Sequence, residues 1–189
     1  MANTSTTGFG FRSIKKVGQN YNNEGLSEYK VAASSALISH GAMVVLTADG
    51  VVLSSGNTDV NNLGVLSGVF YTDTTTSKPT WANYLLASNT ATDIVAFVSD
   101  DPYTMYEIMS ADTAFNQNEV GGCADQVFAN GVSPLYISRS KISGTTGSGT
   151  AQLKILGVSN DPDHSDITEE GFALNVMINE HILKQTAGI

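Results

Sequence analysis

The clearest hydrophobic pattern in the chain runs from Ile94 to Met109, IVAFVSDDPYTMYEIM. Ile94 to Val98 is an apolar, β-prone run that stops at the turn formers Ser99-Asp100-Asp101-Pro102. Tyr103 to Met109 follows at once and alternates, with Thr104, Tyr106 and Ile108 on one face and Tyr103, Met105, Glu107 and Met109 on the other. Pro102 has no backbone donor and disfavours the helical conformation at Asp101, so a helix through the segment is excluded. The pattern predicts two strands meeting at a hairpin turn or a strand corner.

Other segments repeat the theme. Met43 to Leu46 and Val51 to Leu53 flank Thr47-Ala48-Asp49-Gly50, a strong hairpin signal. Leu63 to Tyr71 is a strand with internal glycines at 64 and 68, which predict a bulge or a close approach of neighbouring groups. Ala151 to Val158 and Phe172 to Ile178 are two late strands, and in the second Phe172, Leu174, Val176 and Ile178 share one face. Ser27 to Ser34 is a plausible first strand, Trp81 to Leu86 a further strand or an irregular stretch, and Val127 to Phe128 and Leu135 to Ser138 short ones. Ala111 to Phe115 predicts the start of a short helix, and Ser143 to Thr150 a flexible loop.

The first 26 residues show neither period. They mix Gly8, Gly10, Gly18 and Gly25 with polar residues and set Phe9 and Phe11 beside Arg12. This predicts an extended N-terminal arm over 1–26, with a reach of at most roughly 80 Å, attached to a β-rich body over 27–189. Two aromatics so close together are expected to bury against something. An arm of this kind should be removable without unfolding the body.

Composition agrees with an all-β protein, a single β-sandwich or β-barrel-like domain. Hydrophobic residues make up 41% and charged ones only 14%, so loops must be polar but largely uncharged. Net charge is −9, yet residues 1–16 hold Arg12, Lys15 and Lys16 and no acid, so the body is more acidic still. An acidic body is a poor binder of bare nucleic acid, which is held through Lys and Arg. No run approaches a membrane span, and no apolar stretch precedes the first positive charges, so no membrane role and no secretory leader are expected.

Candidate chemistry is thin. Cys123 is the lone cysteine, so it forms no intrachain disulfide and no paired-cysteine metal site. Asp161, Asp163 and Glu169 resemble the spacing of a calcium loop, but Asp166 stands where that loop needs glycine; the segment reads as a solvated acidic turn. Gly144, Gly147 and Gly149 lack the Gly-Lys-Ser/Thr of a phosphate loop. Asp100 and Asp101 are read as turn formers. His40, His164 and His181 lie in no nucleophile motif, and His181 reads as a polar contact at the end of the last strand. Trp81 reads as core. The expectation is no enzyme, no cofactor and no metal.

Five stretches together resemble a group of small virion proteins of tailed bacteriophages, many from marine and cyanobacterial hosts, of the capsid decoration (cement) kind. They are ANTSTTGFGFRSIKK at the start, LGVLSGVFYTD (63–73), FVSDDPYTMYEIM (97–109), AQLKILGVSNDP (151–162) and NVMINEHIL (175–183), in order over nearly the whole chain. The resemblance implies a compact β body, commonly a homotrimer, that grips the phage major capsid protein on the outer surface of the virion and is assembled in the host cytoplasm. It carries over no catalytic residue. On this reading the arm, with Phe9, Phe11, Arg12, Lys15 and Lys16, contacts the capsid or a neighbouring subunit. The alternatives are a tail, neck or fibre-associated module, or a glycan-binding β module stacking sugars on Trp81 and Tyr84.

Overall fold

The computed structural model describes residues 3–18, 25–32, 36–56, 59–144, 147 and 149–185. In chain order the strands are β1 (Arg12–Lys16), β2 (Ser27–Lys30), β3 (Met43–Thr47), β4 (Gly50–Leu53), β5 (Asn62–Thr72), β6 (Pro79–Ala82) and β7 (Val95–Ser99). They continue with β8 (Thr104–Met109), β9 (Cys123–Ala124), β10 (Gln126–Val127), β11 (Lys141–Ile142), β12 (Leu153–Val158) and β13 (Ala173–Ile178). Among the described residues the helical pieces are two short 3-10 turns, Gln117–Glu119 and Ile182–Lys184, and no helix is long and apolar enough to cross a membrane.

The fold is all-β, as the alternating runs predict. One sheet has the order β1-β8-β13-β12-β9; the other has β2-β7-β5-β3-β4, with β6 on the same side of β5 as β3 but further along it. The pairs within both ladders are antiparallel. The sheets stack as a sandwich. A single parallel bridge, Val31 to Val51, brings the ends of the second sheet together, and no barrel closes.

The central segment is a corner. β7 belongs to the second sheet and β8 to the first, so residues 94–109 carry the chain from one layer to the other. Asp101 makes the turn: its Oδ1 accepts from Tyr103 N at 2.8 Å and its carbonyl from Thr104 N at 3.0 Å. Asp100 does more than turn, accepting from Ser27 Oγ at 2.9 Å and from the Tyr29 hydroxyl at 2.6 Å, which fastens β2 to the corner. The Tyr106 hydroxyl reaches back to the Ser99 carbonyl at 2.9 Å.

Register explains the core. Tyr106 faces Val176 and Val176 faces Ile155; Ile108 faces Leu174; Ile178 faces Leu153. These apolar positions, with Phe11, Phe172 and Phe115, form the core of the first sheet and meet Met43 and Val65 of the second. The second sheet wraps a further core, in which Val44, Val51, Leu63, Leu66, Val69, Ala96 and Val98 are closed over by Ile38, Leu85 and Ile182. Each such side chain taken fully out of water contributes on the order of 1.5–3 kcal/mol before entropy is charged against it.

The β3-β4 hairpin forms as predicted, with Thr47 opposite Gly50, which takes φ 131°. Both glycines predicted to matter in β5 do. A Cβ on Gly64 would lie 2.1 Å from the Ser99 carbonyl oxygen, one on Gly68 would lie 2.4 Å from the Trp81 ring, and a bulge falls between Leu66 and Gly68. The predicted helix at Ala111 is absent: Ala111 N bonds to Ile142 O and Phe115 N to Ile167 O, so the donors a helix would need go to neighbouring segments. The first strand of the body is shorter than predicted, and residues 33 and 34 of that reading lie outside the described residues, as do 1, 2 and 19–24 of the arm and 145, 146 and 148 of the glycine-rich loop. Residues 135–138 supply only a bridge, Ile137 to His40.

Candidate interaction surface

The described part of the predicted arm, residues 3–18, lies along the body as a strap. Asn3 anchors its start: Nδ2 donates to the carbonyls of Asp166 at 2.9 Å, Glu169 at 3.1 Å and Glu170 at 2.9 Å, and Oδ1 accepts from Asp166 N at 3.1 Å. Gly10 turns the strap at φ 71°, where any Cβ would collide with the Gly41 carbonyl and Ser138. Phe11 N then bonds to Gly41 O at 2.9 Å, and Arg12–Lys16 pairs with β8 as an edge strand.

Alternation in an unbroken strand would put Phe9 and Phe11 on the same face, but the left-handed turn at Gly10 between them sends the two rings to opposite faces of the first sheet. Phe11 enters the core between the sheets, edge-on to Tyr106 at 6.0 Å, while Phe9 covers Met109 and Ala173 on the other side. Both rings are thereby buried in their own chain. Of the five residues expected to make capsid or subunit contacts, Arg12 stays half exposed, Lys15 and Lys16 partly so, and Lys16 Nζ lies 2.7 Å from Asp101 Oδ2.

Arg12 is held at the centre of a small cluster. Its guanidinium carbon sits 3.7 Å from the centre of the Phe9 ring, and Nη1 lies 3.8 Å from both Glu107 and Asp161. Glu107 is a buried carboxylate that also accepts from the Ser159 hydroxyl. Here the strap fills the face of the sheet and sets a cation between two carboxylates.

The acidic turn at 160–170 is organised by its own backbone and by Asn3. Asp166 Oδ1 accepts from Thr168 Oγ1 at 2.7 Å and Thr168 N at 3.1 Å, which hold its carboxyl below the ordinary range. Among the described residues no group of His, Cys, Asp and Glu is arranged to hold a metal ion. The three histidines bond to main chain in separate places: His40 Nδ1 to Ser67 O at 3.0 Å, His164 Nδ1 to Gly171 O at 2.8 Å, and His181 Nδ1 from Leu183 N at 3.2 Å. Since a carbonyl only accepts and an amide N–H only donates, the first two rings carry hydrogen on Nδ1 and the third on Nε2. His181 is fully buried, and burial first, then the nearby Lys184 charge, push its pKa down to about 4.

Trp81 is not core. It is 49% exposed at the margin of the second sheet, opposite Phe70, with its ring 4.9 Å from that of Phe97 and Nε1 donating to Asn83 Oδ1 at 3.3 Å. Register explains the placement. The face of β5 and β7 that carries Val65 and Ser99 against the first sheet continues through Gly68 and Phe97 to Phe70 and Val95, beyond the reach of that sheet. The result is an aromatic ledge at the margin of the sandwich. Tyr84 does not join it; its ring stacks on Tyr136 at 4.4 Å, so Trp81 and Tyr84 form no common platform.

Sequence reasoning missed β1 and the exposure of Trp81. Arg12 to Lys16 offers no alternation of apolar residues, because it is an edge strand none of whose side chains is buried in the core. The Trp81 signal was present in Gly68, whose missing side chain makes room for the indole. No protein-family model matches the chain, and no curated protein or solved structure matches it.

Proposed function

We propose that the protein is a capsid decoration protein, a structural component that binds the outer surface of a tailed-phage head and stabilises it through protein–protein contacts. The observation that carries this reading is the ordered likeness of the five stretches to such proteins. They coincide with the strap, β5, the β7-β8 corner, β12 with its following turn, and the end of β13, which are the elements that build both sheets. The likeness therefore runs through the scaffold and not through one exchangeable loop.

The chemistry of the surface is in keeping with contact work. Trp81 and Phe70 on the ledge, and Leu135 at 68% exposure, are large apolar groups presented on a rigid β body. A cement protein acts by mass action: binding only the assembled shell shifts the equilibrium away from disassembly, and many copies multiply a modest energy per site. A homotrimer at local symmetry axes is the assembly this reading favours. Purified heads lacking the chain, incubated with it and then heated, provide the test. Saturable binding with a raised disruption temperature supports the proposal; no binding to heads, with binding to tails or necks, moves the protein to the alternative structural class.

One observation favours a second reading. The indole of Trp81 is half exposed and braced by Phe97 and Asn83, a geometry suited to stacking a sugar ring. A glycan array on which the chain and its Trp81→Ala variant both stay silent removes it.

A further inference from the structure

The strap and the loop at 131–139 enclose a groove. Two adjoining hollows of about 380 and 390 Å³ share Phe9, Arg12 and Ile137 as walls, and the loop lines the second of them with Val132, Pro134 and Leu135. Val132 is 50% exposed, Leu135 68% and Ile137 42%. These apolar groups are held out in water on a fixed support. Gly131 N bonds to Ser39 Oγ at 3.0 Å, His40 N to Tyr136 O at 3.0 Å and Ser138 N to His40 O at 2.8 Å, while Tyr136 stacks on Tyr84. A tip fixed in this way loses little freedom when it docks, so its exposed surface is available to binding at low entropic cost.

The charge around the groove is opposite to that of the molecule. The chain has only two arginines in a sequence of net charge −9, and both line the second hollow. The stem of Lys141 packs against Gly8, a lining residue with no Cβ to displace it. Arg12 is already balanced by Glu107 and Asp161, but among the described residues Arg139 is exposed and paired with no carboxylate. Apolar walls beside an uncompensated guanidinium select for a partner with the complementary pattern, because a desolvated arginine is stabilised best by a carboxylate.

We propose that this groove is the docking site for an extended segment of the capsid partner in which apolar side chains alternate with carboxylates. The apolar groups enter the two hollows and a carboxylate meets Arg139. The identity of that partner rests on the capsid reading above; the groove and its chemistry do not.

Two measurements separate them. In the first, the isotope-labelled full chain is titrated with a blocked hexapeptide of alternating leucine and aspartate, and with its leucine-lysine counterpart, while backbone amide shifts are followed. The acidic peptide should move the amides of Gly8, Leu135, Ile137 and Arg139, and Arg139→Glu should weaken it at least five-fold. Shifts elsewhere, equal response to the lysine peptide, or movement of the same amides with protein concentration alone would overturn the assignment, the last by giving the groove to a second copy. In the second, heads lacking the chain are loaded with Arg139→Glu, with Leu135→Ser, and with Lys78→Glu as a charge reversal at an exposed lysine remote from the groove. The first two should lose at least ten-fold in occupancy and the third should not. Equal loading of all variants refutes the groove while sparing the capsid reading; a native chain that takes up the acidic peptide but ignores heads refutes the partner while sparing the groove.

Discussion

Trp81 rests its indole on Gly68: a Cβ added there would come within 2.4 Å of the ring. The glycine is what allows the aromatic ledge to lie against the sheet. Gly68→Ala forces the ring or the strand to move, at a cost of about 1–3 kcal/mol for overpacking. Trp81 is the chain's only tryptophan, so its emission reports the change directly. A red shift with a lowered urea midpoint is expected; unchanged emission contradicts the contact.

The strap is part of the fold. Phe11→Ala empties a core position and should cost about 3–5 kcal/mol. Asn3→Ala, which removes the anchor on the acidic turn, should cost about 1–2 kcal/mol, the range for a multiply bonded polar group. Deleting residues 2–16 would remove β1 and uncover Met109 and Ala173, so a clear fall in Tm is expected, in place of the intact body that an independent arm would leave. Calorimetry of the deletion variant decides between them.

His181 makes the fold sensitive to acid. Its folded pKa is pushed to about 4 from 6.5, so below pH 6.5 the unfolded chain binds a proton that the folded one refuses. Stability from this group is fully present above pH 6.5 and drains away as pH falls toward 4. Between pH 7 and pH 4.5 the loss is about 2.5 kcal/mol. His181→Asn keeps an acceptor for Leu183 N and removes the titration. Urea unfolding at the two pH values should show a smaller pH dependence in the variant by roughly that amount; identical slopes would show that His181 is protonated without penalty.

Asp100 ties the corner to β2. Asp100→Ala strands the hydroxyls of Ser27 and Tyr29 and should cost about 2–3 kcal/mol, the scale of hydrogen bonds to a charged acceptor. Tyr29, whose pKa burial and its bond to Asp100 raise to about 12, should ionise at lower pH in the variant. Absorbance titration of the two proteins checks this.

The legible part of the fold was the part written in alternation. Tyr106 and Ile108, Leu174, Val176 and Ile178, and the Asp49-Gly50 hairpin each announce their face or turn through local spacing, and the structure keeps them. The strap was illegible as a strand because its partner, β8, lies about 90 residues away and its buried rings point to opposite faces. Ile94 to Met109 reads as a strand pair, but nothing local distinguishes a hairpin from a corner. That is decided by which sheet offers Ser27 and Tyr29 to Asp100. At the surface, Phe9, Phe11 and Arg12 were legible as important, but Leu135 and Arg139 were not, since neither shows a pattern until the loop is brought beside the strap.

The most direct test of the decoration reading is the number of copies of this chain in a purified particle, measured by quantitative mass spectrometry against the major capsid protein. The account predicts hundreds, in a fixed ratio to the capsid protein. A dozen or fewer would place the chain on the tail or neck and contradict it.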